Sequence, residues 1–292
     1  MRLLKILITF YVNIFFVNAQ NINISKCYQS DDFSRVIIAG GSLTEIFFFL
    51  GIQNSIAGVD ITSNFPIEAT KLPSIGYVRT LSTEGILSLE PTLVIGENDM
   101  GPPMVIDQLQ KTSIDLRIIP EKRTINGIIE KIRCVASIAS HENQASIIIE
   151  KELQPKIDEL LILQKNNSLK PNKAMLILSM GGTSPIIAGK NTSGNGFINI
   201  IGAKNIFNTF EGWKPVSIES ILKNNPDFII IPQRDVHKNS DIASLLKNPN
   251  LKEINAIKNK NIISEDAMAM LGFGPRTIDI ALKASKAIAI NE

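Results

Sequence analysis

The stretch Gly76-Tyr77-Val78-Arg79-Thr80-Leu81-Ser82-Thr83-Glu84-Gly85 holds the residue types with the most specific chemistry in this chain. A free phenol has a pKa of about 10, so it needs a neighbour to ionise near neutrality. Arg79 stands two residues beyond Tyr77, and in an extended segment residues i and i+2 face the same side. Its guanidinium would then hydrogen-bond the phenolate and lower its pKa. The plain alternative is a loop tyrosine whose ring packs against its neighbours.

Two carboxylates recur at one step of a repeated unit. SxEGILSLEPTLVIG, from Ser82 to Gly96, matches SIESILKNNPDFIII, from Ser217 to Ile231. Each reads as a Ser-capped helix, a proline stop and a buried strand. Glu84 and Glu219 occupy the same place in the two units. A carboxylate in a first helical turn also has a local use, because it complements the helix dipole.

Other chemistry is thin. The two histidines, His141 and His237, leave little room for a His-rich metal centre. Two cysteines, Cys27 and Cys134, are too few for a Cys-based zinc site. A disulfide between them and a pair of buried thiols both fit the sequence. Gly40-Gly41-Ser42 precedes a helical pattern but lacks the spacing of either nucleotide fingerprint. GxSxG, CxxC and HExxH are absent, and no acid, base and nucleophile converge. With 30 Lys and Arg against 28 Asp and Glu, no basic field is available for a nucleic-acid backbone.

The elements that must position these residues alternate. Arg35–Ala39, Ile56–Val59, Thr92–Gly96 and Leu116–Ile119 read as short buried strands. Helices are expected after Gly41, over Ser82–Leu89 and from Pro103 to about Lys111. This is an α/β lobe with a mainly parallel sheet. Helical patterns then run from Thr124 to about Ala139 and from Ser140 to about Gln164, where Pro155 would kink or split the second. After Pro171 the alternation returns, with strands at Ala174–Leu178, Phe228–Ile231 and Asn261–Ile263 and a last helix after Gly274-Pro275-Arg276. The expected fold is two Rossmann-like α/β lobes joined by a long rigid helix, with a cleft between them. The expected divisions are 20–139, 140–167 and 168–292.

Residues 1–19 read as a signal peptide. Arg2 and Lys5 precede the apolar run Ile6–Val17, and Val17-Asn18-Ala19 allows cleavage after Ala19. An uncleaved anchor is the alternative, although the run is short for a bilayer. Cys27 lies too far downstream of Ala19 for a lipid-anchored cysteine. Removing Arg2 and Lys5 takes the formal charge from +2 to 0, so the expected mature protein is neutral, secreted and unattached.

Two lobes, a helical connector and a signal peptide resemble the substrate-binding proteins of type II ABC importers for vitamin B12, siderophores and haem. LPSIGYVRTLSTEGILSLEPTLVI resembles the periplasmic haem-binding branch in particular, as do GGSLTEIFFFLG, SMGGTSPIIAGKNT and MLGFGPRTIDIAL. The resemblance implies a periplasmic, monomeric carrier that takes ferric haem b in the cleft. It would deliver the haem to an ABC permease dimer, with an outer-membrane haem receptor system upstream. By this resemblance it would be a binder rather than an enzyme.

By the same resemblance Tyr77 is the axial iron ligand, with Arg79 beside it. Phenolate is a hard anionic donor that suits ferric iron. Arg234, after the Phe228–Ile231 strand, is the candidate propionate partner, with Lys190 and Arg276 weaker ones. Arg276, in a helix-opening Gly-Pro-Arg, better fits a structural role. A second axial ligand would be His237 or Met180; ligation by Tyr77 alone is the default. Glu84 and Glu219 match the acidic residues that dock each lobe onto the permease. A siderophore or cobalamin binder of the same fold, and a secreted α/β metalloenzyme, are the competing readings.

Overall fold

The computed structural model describes residues 27–169, 171–181, 184–233, 243 and 246–290. The expected signal segment 1–19 lies outside them. Among the described residues, no helix is long and apolar enough to cross a membrane.

In the N-terminal lobe, β1 (Val36–Ala39), β2 (Ile56–Val59), β3 (Leu93–Glu97) and β4 (Asp115–Ile119) form a parallel sheet in the order β2-β1-β3-β4. β1 is VIIA with every residue buried, as expected of a strand covered on both faces. The chain leaves β1 through α1 (Gly41–Phe49) to reach β2 on one side. It reaches β3 on the other side through α2 (Thr83–Leu87). The strand order therefore reverses between β1 and β3, and ligands of open α/β sheets bind at the carboxyl ends of such a pair. α3 (Pro103–Leu109) and α4 (Ile125–Ile138) complete the lobe.

The connection is helical from Glu142 to Leu169. α5 (Glu142–Ile148) passes through a π turn (Ile149–Leu153) into α6 (Gln154–Leu169). Pro155, which lacks an N–H, is accommodated just after the wide turn, as the second residue of α6, instead of splitting the helix. The connector is not a lone strut. The C-terminal helix packs along α6, with Lys156 Nζ 2.6 Å from Asp279 and Lys286 Nζ 2.7 Å from Glu159. Buried Asn167 on α6 donates to Ile201 O at 3.0 Å and Ser285 O at 3.2 Å, pinning the C-terminal lobe to this two-helix spine.

The C-terminal lobe departs from a purely parallel plan. β5 (Lys173–Gly181), β9 (Phe228–Gln233) and β10 (Ile262–Asp266) are parallel, and short β7 (Lys204–Asn205) also runs parallel to β5. On its other flank β5 carries the antiparallel strands β6 (Ser184–Ala188) and β8 (Trp213–Pro215). The sequence pattern hid β6 because Pro185 and the preceding Gly-Gly weaken a strand reading. Among the described residues four α-helices complete the lobe: α7 (Ser193–Ile200), α8 (Ile218–Asn224), α9 (Asn255–Lys258) and α10 (Ala267–Leu271). The chain then ends in α11 (Pro275–Ile290).

One apolar cluster runs without a break from β1 and α1 through α4, α5 and α6 to Phe197, Met270, Phe273 and Ile278. The lobes therefore share a core. Each sheet's other face has a cluster of its own. Cys27 and Cys134 are joined in a disulfide, which ties the start of the described chain to α4.

Candidate ligand site

The carboxyl ends of β1 and β3 are built around charges. Gly40 has φ 148°, and a Cβ there would come within 2.9 Å of Glu97 Oε2. That close approach lets the Glu97 carboxylate sit against the start of α1. It accepts from Ser42 Oγ at 2.5 Å and from Lys131 Nζ at 2.6 Å. Lys131 is fully buried on α4 and also donates to Gly272 O, in the other lobe, at 3.0 Å. Beside them Asp60 is buried and accepts from the N–H groups of Gly40 and Thr62, both at 2.9 Å. Burial raises the Asp60 carboxyl pKa, and those hydrogen bonds work against the rise.

A second charged tie crosses between the lobes. Arg276, which opens α11, reaches Glu45 on α1 at 2.5 Å and Asp266 at the end of β10 at 3.1 Å. Burial raises the Glu45 carboxyl against the pull of this guanidinium. Burial works to lower the Arg276 pKa, but the two carboxylates hold it above its ordinary value. The Arg276 guanidinium also lies 3.8 Å from the centre of the Phe65 ring. Arg123 adds a third tie, donating to Asn191 O at 2.6 Å.

Tyr77 stands on a short, well-braced segment. Ile75 N donates to Val59 O, Ile61 N to Gly76 O and Gly101 N to Val78 O, all at 2.9 Å. Ile75 and Val78 are buried on either side, while Tyr77 is 39% exposed. Thr80 N donates to Tyr77 O at 2.8 Å, so Tyr77–Thr80 is a turn, not an extended strand. This alters the expected Tyr77–Arg79 pairing. In the turn i and i+2 do not share a face, and the Arg79 Nε and Nη2 both donate to Asp99 Oδ2, at 3.0 and 2.9 Å. Partial burial works to lower the Arg79 pKa, but the Asp99 hydrogen bond and charge, with a smaller contribution from Tyr77, raise it. Asp99, not Tyr77, takes the Arg79 hydrogen bonds.

The remaining candidates fall elsewhere. Arg234 and His237 lie outside the described residues, and so does the side chain of Met180 on β5. Lys190 is exposed, with its backbone paired to Phe210 and Gly212. His141 contacts Ala139 O through Nδ1 at 2.6 Å at the start of the connector. Arg276 serves the lobe junction, the structural role its Gly-Pro-Arg setting suggested.

Glu84 and Glu219 are both exposed in the first turn of a Ser-capped helix. Ser82 Oγ accepts from Gly85 N at 2.9 Å, and Ser217 Oγ from Ser220 N at 3.2 Å. The backbone N–H of Glu219 and the Ser217 hydroxyl hold the Glu219 carboxyl below its ordinary pKa. α2 feeds β3 and α8 feeds β9, and each strand lies beside the first strand of its lobe. A helix that feeds a parallel strand runs back across the sheet, so both carboxylates start at the edge where the strands end. A surface depression flanks each helix, of about 830 Å³ beside α2 and about 490 Å³ beside α8.

The family model described as "Periplasmic binding protein" matches residues 36–269. The chain belongs to that family. It is 25% identical over 247 residues to the ABC transporter substrate-binding lipoprotein YvrC of Bacillus subtilis, covering 84% of this chain and 76% of that one. The vitamin B12-binding protein of Pectobacterium atrosepticum is 27% identical over 199 residues, covering 68% and 71%. Among solved structures, the periplasmic haem-binding protein RhuT of Roseiflexus sp. RS-1, in apo form, superposes with a TM-score of 0.78 at 31% identity. That match covers 87% of this chain and 97% of that one. The two-lobed α/β architecture with a helical connector is the fold of this family's haem-binding structures.

Sequence reasoning passed over Glu97, Lys131, Asp99, Glu45 and Asp60. One of them left a signal. Lys131 lies three residues after Ile128 and four before Val135, on the apolar stripe of α4, where a lysine requires a buried partner. Among the described residues no group of three or more His, Cys, Asp or Glu is placed to hold a metal ion.

Proposed function

We propose that this protein binds ferric haem between its lobes in the periplasm and delivers it to the permease dimer of an ABC importer. The observation that carries the reading is Tyr77: a phenol left exposed on a turn whose flanking residues are buried and whose backbone is held on both sides. Its backbone is bonded to the loops that follow β2 and β3, and Arg79, two residues on, adds a cation to the same turn. As cargo, ferric haem would take the phenolate oxygen as its axial ligand. Glu84 and Glu219 would meet the permease, one per lobe. Cleavage after Ala19 would release the mature chain without a lipid anchor.

The relatives named for vitamin B12 support cobalamin as a second reading. One titration separates the two. Purified protein is mixed with hemin or with cyanocobalamin and followed by absorption. Hemin should give a Soret band and a high-spin charge-transfer feature near ~600 nm, as phenolate ligation requires. Tyr77→Ala should remove that feature and weaken hemin binding strongly. An unchanged spectrum in folded Tyr77→Ala protein would remove the ligand assignment, and saturable cobalamin binding without hemin binding would replace the reading.

A further inference from the structure

Phe65 has no place in the three apolar clusters, and its ring is 43% exposed. It sits on the loop that follows β2, and that loop is firmly held. Asp60 binds its start through Gly40 and Thr62, and Ile61 N is bonded to Gly76 O, next to Tyr77. The exposure is therefore not that of a loose tip. Ile61 (64%), Phe65 and Ile67 (65%) are large apolar side chains left open on this loop, and the Ile61–Gly76 bond brings the segment of Tyr77 (39%) beside it. Apolar exposure this concentrated marks a contact surface.

The Arg276 guanidinium covers one face of the Phe65 ring at 3.8 Å. Arg276 comes from the other lobe and is fixed by Glu45 and Asp266, so the ring stands where the lobes meet. Its charge is already matched by those two carboxylates, which leaves it poorly suited to bind a ligand's acid groups. Its effect on the ring is different. A cation on one face draws π density toward itself and leaves the opposite face electron-poor. An electron-poor aromatic face favours an electron-rich, flat, conjugated partner.

We propose that Phe65, backed by Arg276, is the stacking platform for the macrocycle of the bound ligand, and that it recognises the flat ring rather than the metal. This rests on the haem reading above, and the two are tested apart. Hemin and iron-free protoporphyrin IX are titrated, by absorption and by porphyrin fluorescence, into the wild type, Phe65→Ala, Phe65→Leu, Phe65→Tyr and Tyr77→Phe, with thermal unfolding to confirm the fold of each.

Phe65→Ala should weaken both porphyrins by about tenfold, since an aromatic stack contributes on that scale. Phe65→Tyr should restore both, and Phe65→Leu should not. Tyr77→Phe should weaken hemin and spare the iron-free ring. If Phe65→Ala binds both within about twofold of wild type, or if Phe65→Leu binds as wild type does, the platform is overturned while Tyr77 ligation stands. If Phe65→Ala loses both ligands and Tyr77→Phe loses neither, the platform stands and the iron-ligand reading fails. Wild-type protein that binds neither porphyrin overturns both.

Discussion

The two lobes carry the same Ser–Glu–Pro unit on their outer rims and differ at the junction between them. On the rims, Ser82 and Ser217 cap helices with Glu84 and Glu219 in the first turn, and both helices lead into the strand beside the first strand of their lobe. At the junction the N-terminal lobe supplies charged side chains: Glu97, Lys131, Glu45 and Arg123. The C-terminal lobe answers mainly with the backbone carbonyls of Gly272 and Asn191, and with Arg276. The outer repeat suits a partner that is itself two-fold. The unequal junction suits one fixed angle between the lobes, because each charge buried there needs its own partner.

The largest effect should come from breaking the repeated rim. Glu84→Lys with Glu219→Lys should abolish haem delivery, while each single change gives a partial loss. Haem binding in solution should not change, since exposed charges act on encounter and orientation. Transporter-coupled uptake or stimulated ATP hydrolysis in proteoliposomes measures this. Full activity from the double variant would reduce both carboxylates to solvated helix-end groups.

Next is the junction. Lys131→Met strands the Glu97 carboxylate, now without its buried cation, and should cost about 3–5 kcal/mol in urea unfolding. Adding Glu97→Leu should recover most of the loss, because a buried pair replaced whole by apolar groups is often near neutral. If the single change costs under about 1 kcal/mol, the cluster does not hold the junction. In the intact protein these ties, with the helical spine, should keep the lobe angle fixed. Small-angle scattering should then give nearly the same radius of gyration with and without hemin; a large contraction on loading would contradict this.

These two regions were unequally legible in the sequence. The rim could be read because its signals are local. Ser, Glu and Pro at fixed spacing encode a cap, a first turn and a stop, and the structure has Ser82, Glu84 and their counterparts in those places. The buried strands were legible for the same reason, as short apolar runs between turn residues. The junction depends on pairings between residues far apart in sequence, such as Lys131 with Gly272 and Glu45 with Arg276. Only the misplaced polarity of Lys131 announced one of them. At Tyr77 the backbone conformation was not legible in this way. A segment read as irregular or extended makes a turn at Tyr77–Thr80, and the carboxylate that claims Arg79 comes from Asp99, twenty residues on.

The smallest expected effect compares the two repeats most closely. In each repeat a residue with positive φ stands between the helix and the strand, just before the proline: Glu90 at 48° ahead of Pro91, and Asn225 at 42° ahead of Pro226. Glutamate is poorly suited to that region, whereas asparagine visits it more readily. Asn225 also does more than tolerate the bend. Its side chain accepts from Asn255 N at 2.8 Å and donates to Asn255 Oδ1 at 3.3 Å, tying α8 to α9. Glu90 is exposed, and what it supplies inward is its carbonyl, which accepts from Arg35 Nε at 3.0 Å whatever the side chain. Glu90→Asn should therefore stabilise the protein by about 0.5–1 kcal/mol, through relief of backbone strain alone. The reciprocal Asn225→Glu should destabilise it by about 1–2 kcal/mol, since it restores the strain and removes the side-chain tie. Urea midpoints at unchanged m-values read both. Equal and opposite shifts would mean the tie to Asn255 contributes nothing. A loss of stability in Glu90→Asn would mean that the Glu90 side chain, not the backbone, holds the end of the first repeat.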